Sequence, residues 1–387
     1  MRKKHFLFAS VLALLCGSSA LHAQDFKLTS SGYFKNQGVD IMAFDDIYPE
    51  GHQGGVCIIM NGHRVATNGD IRLEATPGQW QPVPKQLDRK LGDNSITATL
   101  CYPDSSRHLT GFNPMIYPDL HLIYTVNVES KGKNIEVTVD LDRPIPQEFI
   151  GKVGFNLEFF PGSLFGKPWI MDGQSGIFPQ QPNSPLMTTQ PNYLHTGNYH
   201  DGKQSLADMD KLIGKGYSPI VADDIISEPY AKGRKFTSRP DDPYNKVTIE
   251  SLSGDLQLFD GRMNHNNGWF VLRSNIKPGV TKGAVKWIIT PNVVADWMYQ
   301  PVIQTSQIGY HPAQDKEAVI EMDIRDNRKE TAQIIRIDAD GEKVVKNVTP
   351  ANWGKFLRYN YLKVDFTDVK EPGLYKIKYD TSVSPIF

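Results

Sequence analysis

Apolar and polar residues alternate with a period of two along most of this chain, as in strands that turn one face to a core and the other to solvent. The pattern is cleanest at Leu120-His121-Leu122-Ile123-Tyr124-Thr125-Val126-Asn127-Val128 and at Ile135-Glu136-Val137-Thr138-Val139-Asp140-Leu141. It predicts two strands joined by the polar turn Ser130-Lys131-Gly132-Lys133-Asn134. Val56 to Met60 and Ile71 to Leu73 read the same way, with Asn61-Gly62 and Asn68-Gly69 supplying the positive φ angles of tight turns. Val247 to Leu252 and Leu256 to Phe259 flank a similar turn at Ser253-Gly254-Asp255, and more strands are predicted at Gly154 to Phe160, Gly268 to Ser274 and Ala284 to Thr290. One short run, Gln204 to Ile213, carries apolar residues at helical spacing.

Two stretches break the rhythm. Pro161 to Pro191 is rich in Pro, Gly, Gln and Asn but carries Phe165, Trp169, Ile170, Phe178 and Met187, which predicts long ordered loops, since disordered linkers lack large apolar anchors. Trp297-Met298-Tyr299-Gln300-Pro301 reads as a junction, after which short strands recur between turn signals in the manner of an immunoglobulin-like sandwich. The expected fold is therefore all-β: a large antiparallel β-sandwich with long loops over residues 24–300, then a smaller immunoglobulin-like β-sandwich over 301–387.

The amino terminus follows a different logic. Arg2, Lys3 and Lys4 precede an apolar run from Phe6 to Leu15 and the small-residue stretch ending at Ala23, the layout of a secretory signal peptide over residues 1–23. Bulky Leu14 and Leu15 before Cys16 argue against a lipid anchor. Export into the periplasm or onto the outer surface of a Gram-negative cell is the expectation. Cleavage removes three basic residues and no acidic one, so the exported chain is more acidic than the net −1 of all 387 residues, unlike a nucleic-acid binder. No second hydrophobic stretch has membrane length. Cys57 and Cys101 remain after cleavage, either as a disulfide or as two buried thiols.

From Val302 onward a set of local motifs appears: Ser306-Gln307-Ile308-Gly309-Tyr310-His311-Pro312, then Lys316-Glu317-Ala318, Asp365-Phe366-Thr367 and Pro372-Gly373-Leu374-Tyr375. In order and spacing this segment resembles the immunoglobulin-like domain that precedes the catalytic barrel in many family 9 glycoside hydrolases. Residues 24–300 look broadly like the long amino-terminal extensions of Bacteroidetes members of that family. The resemblance implies a non-catalytic amino-terminal part of an endo-β-1,4-glucanase-type enzyme, acting in polysaccharide degradation beside a catalytic module that this chain lacks. In that family Ser384-Pro385-Ile386-Phe387 is the start of a further strand, so the immunoglobulin-like domain is expected to be cut short at its carboxyl end. A self-standing glycan-binding protein and a spacer that binds nothing are the rival readings.

Inverting hydrolysis in that family needs two carboxyl groups, the base lying in an Asp-Ala-Gly-Asp motif. Asp338-Ala339-Asp340-Gly341 only looks similar, because Asp and Gly between alternating strands are what a turn needs, so no catalytic residue is expected. The acidic pairs Asp45-Asp46, Asp223-Asp224 and Asp241-Asp242 lack the spacing of a calcium loop. His195, His200 and His265 lack zinc-site spacing, so neither a metal nor a cofactor is expected. An acid–base pair such as His265 with Asp260, or His195 with Asp201, is a weaker alternative of the epimerase or lyase type. Sugars pack their C–H faces on aromatic rings, so Trp169, Phe178 and Tyr193, with Gln174, Gln180, Gln181 and Asn192 beside them, are the candidate carbohydrate-binding residues for a β-glucan partner. Trp269, Trp287 and Trp297 read as core, while Trp80 and Trp353 lie in turn-rich stretches that do not decide their role.

Overall fold

The computed structural model describes residues 25–45, 54–74, 76–78, 84–102, 120, 122–182, 227–263 and 268–387. Over these residues the chain is all-β, and the only helical elements are short 3-10 turns. The helical run Gln204 to Ile213 lies outside the described residues.

Two nine-stranded antiparallel sheets make the first body. The first runs from Lys27–Leu28 at one edge through Phe34–Asn36, Val39–Ala43, Val56–Met60, His63–Leu73, Val153–Phe159, Phe270–Asn275 and Leu256–Asp260 to Ala231–Gly233. The second runs from Gln174–Ile177 through Pro168–Met171, Lys235–Ser238, Val247–Ser251, Val285–Pro291, Asn134–Leu141, Ile123–Lys131 and Ser95–Cys101 to Lys85–Leu91. Alternation explains how they face each other. Phe155 and Phe159 point inward from the first sheet, where Phe155 meets Trp287 edge-on at 4.9 Å and Phe159 meets Phe236 at 5.8 Å. Trp287 is fully buried and donates its Nε1 hydrogen to Ser274 Oγ at 3.0 Å, so even its one polar atom has a partner. Fully burying each such side chain stabilises the sandwich by roughly 1.5–3 kcal/mol.

The Ile123–Lys131 and Asn134–Leu141 hairpin pairs as its alternation demands, Lys131 opposite Asn134. Three local readings change. Asn61-Gly62 is a tight turn with φ of 51° and 83°, but Asn68-Gly69 lies inside the continuous strand His63–Leu73, where the register with Val56–Met60 shifts. There the positive φ of Asn68 serves a bulge that bends the strand. Ser253-Gly254-Asp255 does not close a hairpin: Val247–Ser251 belongs to the second sheet and Leu256–Asp260 to the first, so the turn crosses between layers. The first part of the Pro161 to Pro191 stretch also holds a hairpin, Pro168–Met171 with Gln174–Ile177, where loops were expected.

Beyond residue 300 two four-stranded sheets enclose a separate core that includes Ile303, Ile320, Ile334, Leu362, Val364 and Ile377. One sheet runs Val302–Gln304, Glu317–Asp323, Tyr359–Asp365, Ala351–Phe356, and the other Gly341–Val348, Ala332–Asp338, Leu374–Tyr379, Ser382–Val383. The motifs quoted above all serve this fold. Tyr310 donates its hydroxyl to the Glu317 carbonyl, Lys316 caps the Pro312 and Gln314 carbonyls with its ammonium, and Tyr375 donates to the Glu371 carbonyl. Asp338 pairs with Gly341 across a two-residue loop, so Asp338-Ala339-Asp340-Gly341 is a hairpin turn. Residues 384–387 are themselves paired. Ser384 N donates to Ile377 O, Phe387 and Tyr375 exchange two backbone hydrogen bonds of 2.9 Å, and the Phe387 ring packs on Tyr310, Phe366 and Tyr375.

Candidate functional site

The outward face of the first sheet carries charge where a solvent-facing row would be ordinary, yet it is buried. Register places Asp70 opposite Asn156, Asn156 opposite Arg273, and Arg72 opposite Gly154. Together with Glu74 and Glu158 these side chains are each at most 4% exposed. Arg273 Nη1 donates to Glu74 Oε1 at 3.1 Å, Asn156 Nδ2 donates to the same oxygen at 2.6 Å, and Arg273 Nη2 donates to the Glu74 carbonyl. Gly154 must be glycine because Arg273 lies across it: a Cβ there would meet Arg273 Nε at 2.7 Å. From the second sheet the buried hydroxyls of Tyr102 and Tyr124 reach Ile71 O and Asp70 Oδ1.

Burial disfavours charge, so it dominates these carboxyl groups. Desolvation, opposed by Arg273 and Arg72, lifts Glu74 to about 7, and desolvation opposed by Arg72 lifts Asp70 to about 6. Such values suit proton transfer near neutrality, but these groups are walled off from solvent and bonded to one another. Arg72 Nε, also buried, has no hydrogen-bond partner among the described residues.

A second constellation lies where the two bodies meet. Trp297 lends its carbonyl to Gln37 Nε2 and to Arg325 Nη2, both at 2.6 Å, and Arg358 pairs with Asp40 at 2.7 Å. Two glycines let rings seat closely. A Cβ on Gly38 would stand 2.7 Å from the Trp297 ring, and one on Gly62 would stand 2.7 Å from the Tyr299 ring. Burial works to raise Asp323, but bonds from the Arg325 fork and from the Arg325 and Tyr299 amides outweigh it and hold the carboxyl at about 2. Beside these contacts opens a cavity of about 360 Å³ whose lining includes Gln37, Asp40, Trp297, Tyr299, Arg325 and Tyr359.

The residues singled out for carbohydrate fare differently. Trp169 is 6% exposed and Phe178 fully buried, both within the large core, where neither ring keeps a face for a sugar. Trp169 alternates with Met171 along a strand, so its inward direction was written in the period of two. Tyr193, like Trp80, His195, His200, His265, Asp201 and the pair Asp223-Asp224, lies outside the described residues. Asp260 is fully buried and grips Arg262 through both oxygens at 2.8 Å. Trp287 is core, Trp269 packs edge-on against Phe160 at 4.4 Å, Trp297 sits at the junction, and Trp353 is 56% exposed. Cys57 and Cys101 are both free thiols. Among the described residues no group of three or more His, Cys, Asp or Glu could hold a metal ion, and no helix is long and apolar enough to cross a membrane.

A comparison with curated protein sequences finds no match to this chain. Residues 298–384 match the family model of the cellulase N-terminal ig-like domain, so the second body is similar to the module that stands at the amino-terminal side of cellulases.

Proposed function

We propose that this chain is the non-catalytic amino-terminal part of an exported family 9 glycoside hydrolase, holding and positioning a catalytic module that acts on β-linked glucans. The observation that carries the reading is the cellulase-type module at residues 298–384 gripped against the large sandwich through Trp297, Tyr299 and the Arg358–Asp40 pair. A linker between independent domains would be polar and contact little, whereas this junction is aromatic and hydrogen-bonded on both sides. The motif residues of the second body are spent on its own turns, which suits a support better than a catalyst. The basic–apolar–small order of residues 1–23 supports export, with Gln24 as the mature amino terminus.

The test is to produce a family 9 catalytic module with and without this chain in front of it. The supported module is expected to melt higher and keep activity on carboxymethylcellulose longer on heating, while the chain alone releases no reducing sugar. Equal melting of the two forms, or hydrolysis by the chain alone, would overturn the proposal.

A further inference from the structure

The cavity at the junction carries an excess of positive charge. Its lining holds Lys27, Lys35, Arg325 and Arg358 against Asp25, Asp40 and Asp323. Two of these sets are closed: the Arg325 fork grips Asp323 at 2.8 and 2.9 Å, and Arg358 holds Asp40 at 2.7 Å. That leaves Lys27 and Lys35 with Asp25, and none of the three makes an ion pair among the described residues. Strand register sets the two lysines directly opposite each other, Lys27 on Lys27–Leu28 and Lys35 on Phe34–Asn36. Like charges in that arrangement repel. A lysine on an edge strand keeps other chains from pairing there, which accounts for Lys27 but not for Lys35, one strand further in. Both side chains are exposed, and an anion between them would turn the repulsion into two attractions.

The same lining is aromatic where the second body contributes to it. Trp297, Tyr299 and Tyr359 stand there with successive ring centroids 6.2 Å and 5.0 Å apart. Gln37 spends its amide hydrogen on the Trp297 carbonyl, which leaves its own oxygen, like the carboxylate of Asp25, to accept from a hydroxyl. We propose that this cavity binds a single uronate ring, an acidic sugar whose carboxylate is shared by Lys27 and Lys35. The lysines select the carboxylate, the aromatic rings take the apolar C–H face, and Gln37 and Asp25 accept from the hydroxyls. A neutral sugar would leave the opposed lysines unrelieved, and a small anion without a ring would leave the aromatic part of the lining uncovered. At about 360 Å³ the cavity lies near the lower end of the range for small-ligand sites, which suits one ring better than a longer chain. This inference does not rest on the preceding proposal, since it needs no catalytic module.

The experiment is calorimetric titration of the full chain, at low salt, with glucuronate, galacturonate, glucose and acetate. The two uronates are expected to bind at least roughly tenfold more tightly than either glucose or acetate, and their binding should weaken as sodium chloride is added. Lys35→Gln should weaken uronate binding roughly tenfold, the loss of about one charge-assisted contact. The same variant should melt with the parent chain or above it, because it removes an exposed charge that faces a like charge. Lys343→Gln, on an exposed strand of the second body away from the cavity lining, should bind as the parent does. Digalacturonate is titrated beside galacturonate: equal affinity supports a site for one ring, and an affinity more than roughly tenfold higher for the disaccharide would overturn it. Glucose or acetate binding as tightly as the uronates, no uronate binding at millimolar concentration, or unchanged affinity in Lys35→Gln would each overturn the assignment.

Discussion

Raising the pH from 5 to 8 should destabilise the large sandwich, through the two carboxyl groups buried on its first sheet. Glu74 is lifted from 4.5 to about 7 and Asp70 from 3.8 to about 6, in each case by desolvation that neighbouring arginines only partly offset. Both bind their proton more tightly in the folded chain than in the unfolded one. Their contribution is therefore complete below their ordinary values and is lost as the pH climbs through 6 and 7. At about 1.4 kcal/mol per unit of displacement each group controls about 3 kcal/mol, and about 4 kcal/mol of the combined effect falls between pH 5 and pH 8, the larger share from Glu74. Asp323, held down at about 2, acts in the opposite sense and only in strong acid, outside this window. Urea unfolding at pH 5, 6.5 and 8, followed by tryptophan emission with Trp287 reporting from the core, gives the slope. Glu74→Gln keeps a carbonyl acceptor for Asn156 and cannot ionise, so its slope should be less than half that of the parent. Equal stability at pH 5 and pH 8, or the same slope in parent and Glu74→Gln, would refute the reasoning.

Gly38→Ala should loosen the junction, because the new Cβ meets Asn61 Oδ1 and the Trp297 ring at a residue with φ of 66°; a cost of about 1–3 kcal/mol and earlier proteolytic cleavage around residues 297–301 are expected. Phe155→Ala removes the ring that faces Trp287 and should cost about 3–5 kcal/mol in denaturant titration, far more than Trp353→Ala on the open sheet face. Thiol titration of the exported chain in denaturant should count two free cysteines, with Cys57 reacting slowly before unfolding because it is buried and its Sγ lies 3.0 Å from Thr67 Oγ1.

Strand positions were legible wherever alternation and turn chemistry agreed, as at Ile123–Lys131 and Asn134–Leu141. What alternation could not reveal was partnership. Ser253-Gly254-Asp255 has the composition of a hairpin turn, and only long-range pairing sends its flanking strands to different sheets. The buried charges escaped for the same reason: Asp70-Ile71-Arg72-Leu73-Glu74 reads as a strand with one wet face until tertiary structure covers it. One available signal was that charged residues of both signs recur in apolar strands, Arg72 with Glu74, Glu158 and Arg273. The burial of Trp169 and Phe178 was hard to read because their surroundings are rich in loop-forming residues, although the Trp169 and Met171 spacing already marked a strand. Trp353 could not be assigned because its exposure depends on a bulge in register opposite Tyr361.

The place of Val153–Phe159 in the first sheet also sets an order of assembly. It pairs with His63–Leu73 on one side and Phe270–Asn275 on the other, joining Val153 to Leu73 and Gly154 to Asn275. Hairpins such as Ile123–Lys131 with Asn134–Leu141 can close as soon as they are made, but the middle of the sheet must wait for residues synthesised much later. Until Arg273 arrives, Glu74 lacks the guanidinium that hydrogen-bonds it and Val153–Phe159 remains a bare edge, the kind of surface that captures other chains. Shortening the sandwich from its carboxyl side past Asn275 would make that passing state permanent.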